Sequence, residues 1–170
     1  DTRVMEIGCG EGGNLLPFAE LGCKVTGIDI CQTRINEAQT FFTEYHQQGT
    51  FICQDFLLSK EPKTEDERYD LILVHDVIEH IELSHKRDFL RRIKKFLKQR
   101  GIAFFGFPAW QSPFGGHQQI SVGLASKLPF IHLLPKALYK DLLKTSGATA
   151  SIIGELMSIR VSRMTVESFE

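Results

Sequence analysis

Five short apolar runs alternate with helical patterns and charged turns over residues 3–107, and this alternation limits the fold more than any other feature. "RVMEIG" (residues 3–8) ends in glycine, as a buried strand does before a tight turn. Residues 14–21 then read as a helix stopped by Gly22, with Pro17 tolerated in the first turn. "CKVTGID" (23–29) is the second strand. A second helix is expected over 33–47, with Ile35, Ala38, Phe42 and Tyr45 near one face and Gly49 at its end. "TFICQ" (50–54) is the third strand, and "SKEPKTEDER" (59–68) is a solvated loop. "YDLILVH" (69–75) is nearly all apolar, as a strand covered on both faces must be. The third helix is expected over 84–98, with Phe89, Leu90, Ile93, Phe96 and Leu97 inward and Gly101 as its stop. "IAFFGF" (102–107) closes the series.

Such alternation predicts an α/β domain: a three-layer, Rossmann-like, mainly parallel sheet with helices on both faces. Ligands of such sheets bind at the carboxyl ends of the strands, near the switch in strand order. After residue 107 the pattern lapses. Residues 108–164 read as an irregular, apolar insertion, with one clear helix from about 136 to 146 between Pro135 and Gly147. "RMTVESFE" reads as the start of a further helix, with Thr165 as N-cap and Glu167 in the first turn. The expected organisation is therefore a ligand-binding core at 1–107, a substrate-side insertion or lid at 108–164, and the start of another core helix at 165–170, all in one domain. The ends look cut, because the first strand starts almost at once and the last helix has barely begun.

Composition excludes more than it proves. A net charge of -1 over 170 residues calls for no nucleic acid. No apolar run approaches the ~20 residues of a membrane span. Cys9, Cys23, Cys31 and Cys53 form no CxxC pair and no zinc-like spacing, so no metal is expected. Their apolar settings suggest buried, reduced thiols and a cytoplasmic protein.

"EIGCGEGGN" (6–14) carries the chemistry. Gly8, Gly10 and Gly13 satisfy GxGxxG, whereas Gly8, Gly10 and Gly12 satisfy GxGxG. Either set permits a tight turn and close approach of a ligand to backbone amides. Asp29 ends the second strand 21 residues after Gly8, where a carboxylate can accept from two ribose hydroxyls. This points to an adenosine-containing ligand without choosing between NAD and S-adenosylmethionine.

"EIGCGEGGN", "GID", "QDF" and "YDLILVHDVIEHI", in this order, resemble the class I S-adenosylmethionine-dependent methyltransferases. The resemblance covers about residues 3–107 and leans toward the small-molecule group that includes quinone-biosynthesis enzymes. It implies S-adenosyl-L-methionine as cofactor, S-adenosyl-L-homocysteine as product, and O- or C-methylation of a small or lipid-like acceptor. Gly8, Cys9 and Gly10 would then lie against the methionine and ribose portions, and Glu6 would fix the loop near the amino group. Asp29 would bind the ribose diol and Ile30 would contact adenine. Asp55 would recognise the adenine edge and Phe56 would cover its face. His75 and Asp76 would end the fourth strand under the methionine moiety. Family members also carry helices before the first strand, and a helix and two strands after the fifth. The residues agree with this cofactor in one respect: the glycine loop holds no basic residue, and this cofactor has no phosphate to bind.

The acceptor side is read from histidines. His117 stands in "FPAWQSPFGGHQQI", after the fifth strand, and is the candidate general base. His80, in "DVIEHIE", is a second candidate. His46, His85 and His132 are read as surface or packing residues. "ISVGLASKLPFIHLLPKALYKDLL" is apolar enough to suggest a lid over an apolar acceptor and peripheral membrane contact. Two other readings stay open: a non-catalytic cofactor-binding module and a NAD-dependent oxidoreductase.

Overall fold

A computed structural model describes residues 1–169; Glu170, the last residue of the expected closing helix, lies outside them. Five strands, β1 (Arg3–Ile7), β2 (Lys24–Asp29), β3 (Thr50–Cys53), β4 (Tyr69–His75) and β5 (Leu97–Gly106), form one sheet in the order β3-β2-β1-β4-β5. Every pairing is parallel. The helices are α1 (Leu16–Glu20), α2 (Gln32–Glu44), α3 (Leu83–Phe96), α4 (Lys136–Thr145), α5 (Ala150–Ser162) and α6 (Val166–Phe169). Central β1 buries Val4, Met5, Glu6 and Ile7 in succession. Neighbouring side chains on a strand face opposite ways, so both sheet faces are covered there, as a Rossmann-like fold requires.

The chain forms two compact units: residues 1–77 with 85–106, and residues 78–84 with the chain from Phe107 onward. In the first unit, Val4, Val25 and Leu73 from three strands pack with Leu15, Ala19, Ile35 and Phe42. A second apolar group joins the Phe56 ring to Phe89 and Phe96 of α3, at centroid distances of 5.6 and 4.9 Å. In the second unit, Tyr139 and Leu143 of α4 pack with Ile153, Leu156 and Ile159 of α5, around Ala125 and Ile131. Each large apolar side chain so buried contributes roughly 1.5–3 kcal/mol. Polar groups share that interior: His132 is fully buried, with Nε2 2.8 Å from the Trp110 carbonyl oxygen, and Arg160 donates to the His132 carbonyl. Burial, the largest cause, pushes the His132 pKa down, and Arg160 adds to the effect. His46 and His85, by contrast, are exposed.

Four expectations need correction. Tyr45 lies beyond α2 and is 52% exposed, because the helix ends at Glu44. Gly101 does not stop α3; the helix ends at Phe96 and Leu97 already belongs to β5. A Cβ at Gly101 would stand 2.8 Å from the Tyr69 carbonyl oxygen, at an irregularity in the β4–β5 register. That glycine is there for close backbone approach. Only Cys9 among the cysteines is buried, and Cys31 and Cys53 are exposed. Residues 108–164 are less irregular than their sequence suggests, since α5 spans thirteen of them. Its sequence "ASIIGELMSIRVS" sets apolar residues on several faces, so no stripe marks it. Its N-terminus is capped by Thr149, whose Oγ1 accepts from the Ile152 amide. The closing helix is also capped as read: Thr165 Oγ1 accepts from the Ser168 amide at 3.0 Å.

Candidate active site

Because all five strands run parallel, their carboxyl ends lie along one edge of the sheet. The turns leaving β1, β2, β3 and β4 there hold Gly8–Gly10, Asp29–Ile30, Asp55 and His75–Asp76. The strand order reverses at β1, which puts the crevice of such sheets beside the glycine turn.

Gly8 makes the turn possible. Its φ is +71°, and a Cβ there would stand 2.3 Å from Cγ2 of Val77. The Gly8 and Cys9 amides both donate to the Ile28 carbonyl, at 2.7 and 3.1 Å, which ties the turn to β2. Gly12 also has a positive φ and Gly13 does not, so the backbone uses the Gly8/Gly10/Gly12 spacing. No described atom lies within 4 Å of a Cβ built on Gly10, so that side of the turn is open to a ligand.

Asp29 joins the first two strand ends. Its Oδ2 accepts from the Gly10 amide at 3.0 Å and its Oδ1 from the Cys31 amide at 2.8 Å. Each carboxylate oxygen has two lone pairs, so each keeps one acceptor position after these bonds. Ile30, beside it, is 78% exposed and available for contact. Asp55 is exposed and caps a short 3-10 turn through Oδ1 to the Leu57 amide. Phe56 turns inward: it is 3% exposed among Phe89 and Phe96, so its ring is committed to the core and does not cover a ligand.

Glu6 is buried beneath the turn. Its Oε1 accepts from Asn14 Nδ2 at 2.8 Å, while Oε2 has no hydrogen-bond partner among the described residues. Burial pushes its pKa up to about 7, against the lowering effect of the Asn14 bond, and Asp29 adds a further rise. The same causes, burial first and then the Glu6 and Asp29 charges, push the Cys9 thiol up to about 12. Cys9 is therefore a packing thiol that presents its backbone to the turn. At the end of β4, His75 Nδ1 lies 3.2 Å from Asp76 Oδ2. Asp76 takes the left-handed conformation (φ 53°), and its amide donates to the Gly106 carbonyl. A Cβ at Gly106 would stand 2.5 Å from the His75 ring, so the glycine gives the imidazole its room.

The second unit contains a separate cluster. His117 Nε2 lies 2.9 Å from Oε1 of Glu79, which is 2% exposed. The His80 and His117 rings meet edge to face at 5.2 Å, and His80 Nδ1 lies 3.6 Å from Glu155 Oε1. His117 is left-handed at φ 54°. Both histidines singled out from the sequence are thus brought together. Glu79 and Glu155 were missed. Glu79 stood beside His80 in "DVIEHIE", but nothing in the linear spacing said that it would be buried against a residue 38 positions away.

A parallel sheet in this order, with a glycine turn after its first strand and a carboxylate ending its second, defines a Rossmann-like α/β domain. The chain belongs to the family described as "Methyltransferase domain", which matches residues 4–101. Among curated relatives, the ubiquinone biosynthesis O-methyltransferase of Bartonella quintana (strain Toulouse) is 31% identical over 104 residues, 61% of this chain and 40% of that protein. The protein of the same name from Rhodopseudomonas palustris (strain HaA2) is 34% identical over 100 residues, 59% of this chain and 37% of that protein. The chain thus matches well under half the length of these relatives. Among solved structures, PKMT2 from Rickettsia typhi in complex with AdoHcy aligns with a TM-score of 0.60 at 21% identity, over 88% of this chain and 29% of that one. The plantazolicin methyltransferase BpumL aligns at 0.60 and 15% identity, over 99% of this chain and 52% of that one. At such identities these two speak for the fold. No helix among the described residues is long and apolar enough to cross a membrane.

Proposed function

We propose that this chain binds S-adenosyl-L-methionine at the carboxyl edge of its sheet and serves methyl transfer to an oxygen of a small-molecule acceptor. Asp29 carries the reading: it keeps one acceptor position on each oxygen, which suits a ribose diol. The partnerless Glu6 Oε2 and the open side of Gly10 fit the ammonium and backbone of the methionine portion. Residues 6–14 hold two glutamates and no cation, and Arg34 is already paired with Glu11 and Glu37, a poor setting for a pyrophosphate. This disfavours the NAD reading.

In this reading Asp29 holds the ribose, Glu6 the amino group, Ile30 and Asp55 the adenine, and Gly8, Cys9 and Gly10 line the turn. His75 and Asp76 border the methionine portion. When bound, the cofactor supplies an electrophilic methyl on a sulfonium, which the protein need only align with a nucleophile. Positioning can contribute roughly 7–11 kcal/mol to such a displacement. His117 accepts the acceptor's proton and Glu79 orients its ring, a reading supported by their bond. Oxygen as the acceptor atom rests on the names of the curated relatives. Leu124, Phe130, Leu133 and Leu138, all exposed in the second unit, suit an apolar acceptor or a peripheral lipid surface, and residues 108–164 are its lid. A cytoplasmic site of action rests on four cysteines with no disulfide among the described residues.

Calorimetry with S-adenosylhomocysteine and with NAD tests the cofactor, and label transfer from methyl-labelled cofactor to a cell extract tests turnover. Binding of NAD alone would reverse the reading. Binding of S-adenosylhomocysteine without any transfer would leave a non-catalytic binding module.

A further inference from the structure

We propose that Cys31 and Cys53 are paired sites of reversible thiol modification at the sheet's carboxyl edge, and that a small disulfide bearing an ammonium group, once attached there, closes the cofactor site; the closure, though not the modification, rests on the cofactor reading above. The two thiols come from different strand ends and meet around Asp29 and Ile30. Cys53 ends β3, and its Cα pairs in register with that of Asp29. Its thiol donates to the Ile30 carbonyl oxygen at 3.5 Å. Cys31 follows Ile30, and its amide donates to Oδ1 of Asp29 at 2.8 Å. A single peptide group, that of Ile30 and Cys31, therefore touches the Cys53 sulfur on one side and carries Cys31 on the other.

Three further observations set this pair apart from the other cysteines. Both residues are exposed, whereas Cys9 is buried and Cys23 half-buried. Cys31 is the N-cap residue of α2, a helix of thirteen residues, and its side chain makes no capping bond. Helix N-termini favour negative charge, and the thiolate is the form that attacks a disulfide. The surroundings also select the reagent. Residues 29–32 and 53–58 hold the carboxylates of Asp29 and Asp55 and no lysine, arginine or histidine. An incoming ammonium group complements that charge, and an anionic reagent is repelled by it. All of these residues belong to the same compact unit.

The chemistry is thiol–disulfide exchange. The cysteine sulfur, as thiolate, attacks one sulfur of the reagent and forms a new S–S bond. The reagent's own S–S bond breaks, and the departing thiolate takes up the proton that the cysteine gave away. One small disulfide is consumed and one small thiol released for each cysteine modified, and a reducing thiol reverses the step. The adduct stands within one residue of Ile30, which is read against adenine, and of Asp29, which is read against ribose. Its bulk and its ammonium group take the space and the carboxylate that the nucleoside needs.

The experiment treats the reduced full chain with cystamine, locates the adducts by peptide mass spectrometry and measures S-adenosylhomocysteine affinity by calorimetry before and after. Cys31 and Cys53 should react about tenfold faster than Cys9 and Cys23. The reaction should slow as salt is added, because salt screens the attraction of the ammonium group. Saturating S-adenosylhomocysteine should protect both thiols. The modified chain should bind S-adenosylhomocysteine about tenfold more weakly, stay folded by circular dichroism and recover fully on dithiothreitol. The Cys31→Ser/Cys53→Ser double variant should bind as the reduced parent does, before and after cystamine. Three outcomes overturn the proposal: Cys9 or Cys23 reacting as fast as the pair, an affinity in the modified chain within twofold of the reduced one, or loss of the fold on modification. A rate indifferent to salt would overturn the preference for an ammonium group. A reduced chain that binds no S-adenosylhomocysteine would instead strike the cofactor reading, and the order of thiol reactivity would still decide the modification sites.

Discussion

The Gly10 amide donates to Oδ2 of Asp29 at 3.0 Å, across 19 positions of sequence, and so joins the ends of the first two strands into one cradle. The carboxylate that organises the turn also keeps one acceptor position on each oxygen. Asp29→Ala is therefore expected to weaken S-adenosylhomocysteine binding by about 10- to 100-fold, the cost of losing charged hydrogen bonds worth roughly 1.5–3 kcal/mol. Titration calorimetry reads this directly. An affinity within twofold of the parent would remove Asp29 from the site.

Gly8 and Gly13 should behave as opposites. Gly8→Ala forces a side chain onto a positive φ and against Val77, so a loss of roughly 2–4 kcal/mol is expected. Gly13→Ala meets nothing within 4 Å and has no positive φ, so a change within about 0.5 kcal/mol is expected. Denaturant unfolding of both variants checks the pair. Equal losses would show that the backbone does not use the Gly8/Gly10/Gly12 spacing.

Glu6 makes stability fall with rising pH. Its pKa is raised from 4.5 to about 7 by burial, so the folded state holds its proton more tightly than the unfolded chain. Such a carboxyl imposes no penalty below about pH 4.5 and a growing one up to pH 7, after which the penalty is constant. Glu6→Gln keeps an acceptor for Asn14 and removes the titration. Between pH 5 and 8 the parent should lose roughly 2.5 kcal/mol that the variant keeps. Unfolding curves at several pH values measure it, and parallel pH profiles for the two proteins would contradict the argument.

His117→Ala should lower turnover by about 10²–10⁴-fold, as loss of a proton acceptor does, with S-adenosylhomocysteine affinity within twofold of the parent. Glu79→Gln should give a smaller loss, because it orients the ring without taking the proton. Steady-state kinetics on the identified acceptor decides this. Unchanged kcat in His117→Ala would sink the catalytic role.

Much of the first unit was legible because its signals are local. Strand burial shows as apolar runs, turns show as glycines, and the ligand-facing carboxylate sits where a parallel strand must end. "YDLILVH" coincides with β4 to the residue. The failures share a cause. Gly101 has the letter of a helix stop, but it is determined by a backbone oxygen 2.8 Å away on β4. Phe56 sits beside Asp55 in sequence, yet the rings of Phe89 and Phe96 draw it into the core. α5 lacks a stripe because its apolar residues lie on several faces: Ile153, Leu156 and Ile159 pack with Tyr139 and Leu143 of α4, while Val161 is left exposed.

By itself, then, the sequence determined the alternation of elements, the parallel sheet, the glycine turn and the place of Asp29. Each of these follows from the order of short local signals along the chain, apolar runs, glycine turns and a carboxylate at a strand end, and not from which distant side chains pack together. Only the tertiary structure decided that Gly12 and not Gly13 completes the turn, that Cys9 alone among the cysteines is buried, and that Glu79, His80 and His117 meet. Those outcomes turn on burial and on contacts between distant segments, and no local spacing encodes which buried oxygen will be left facing a histidine.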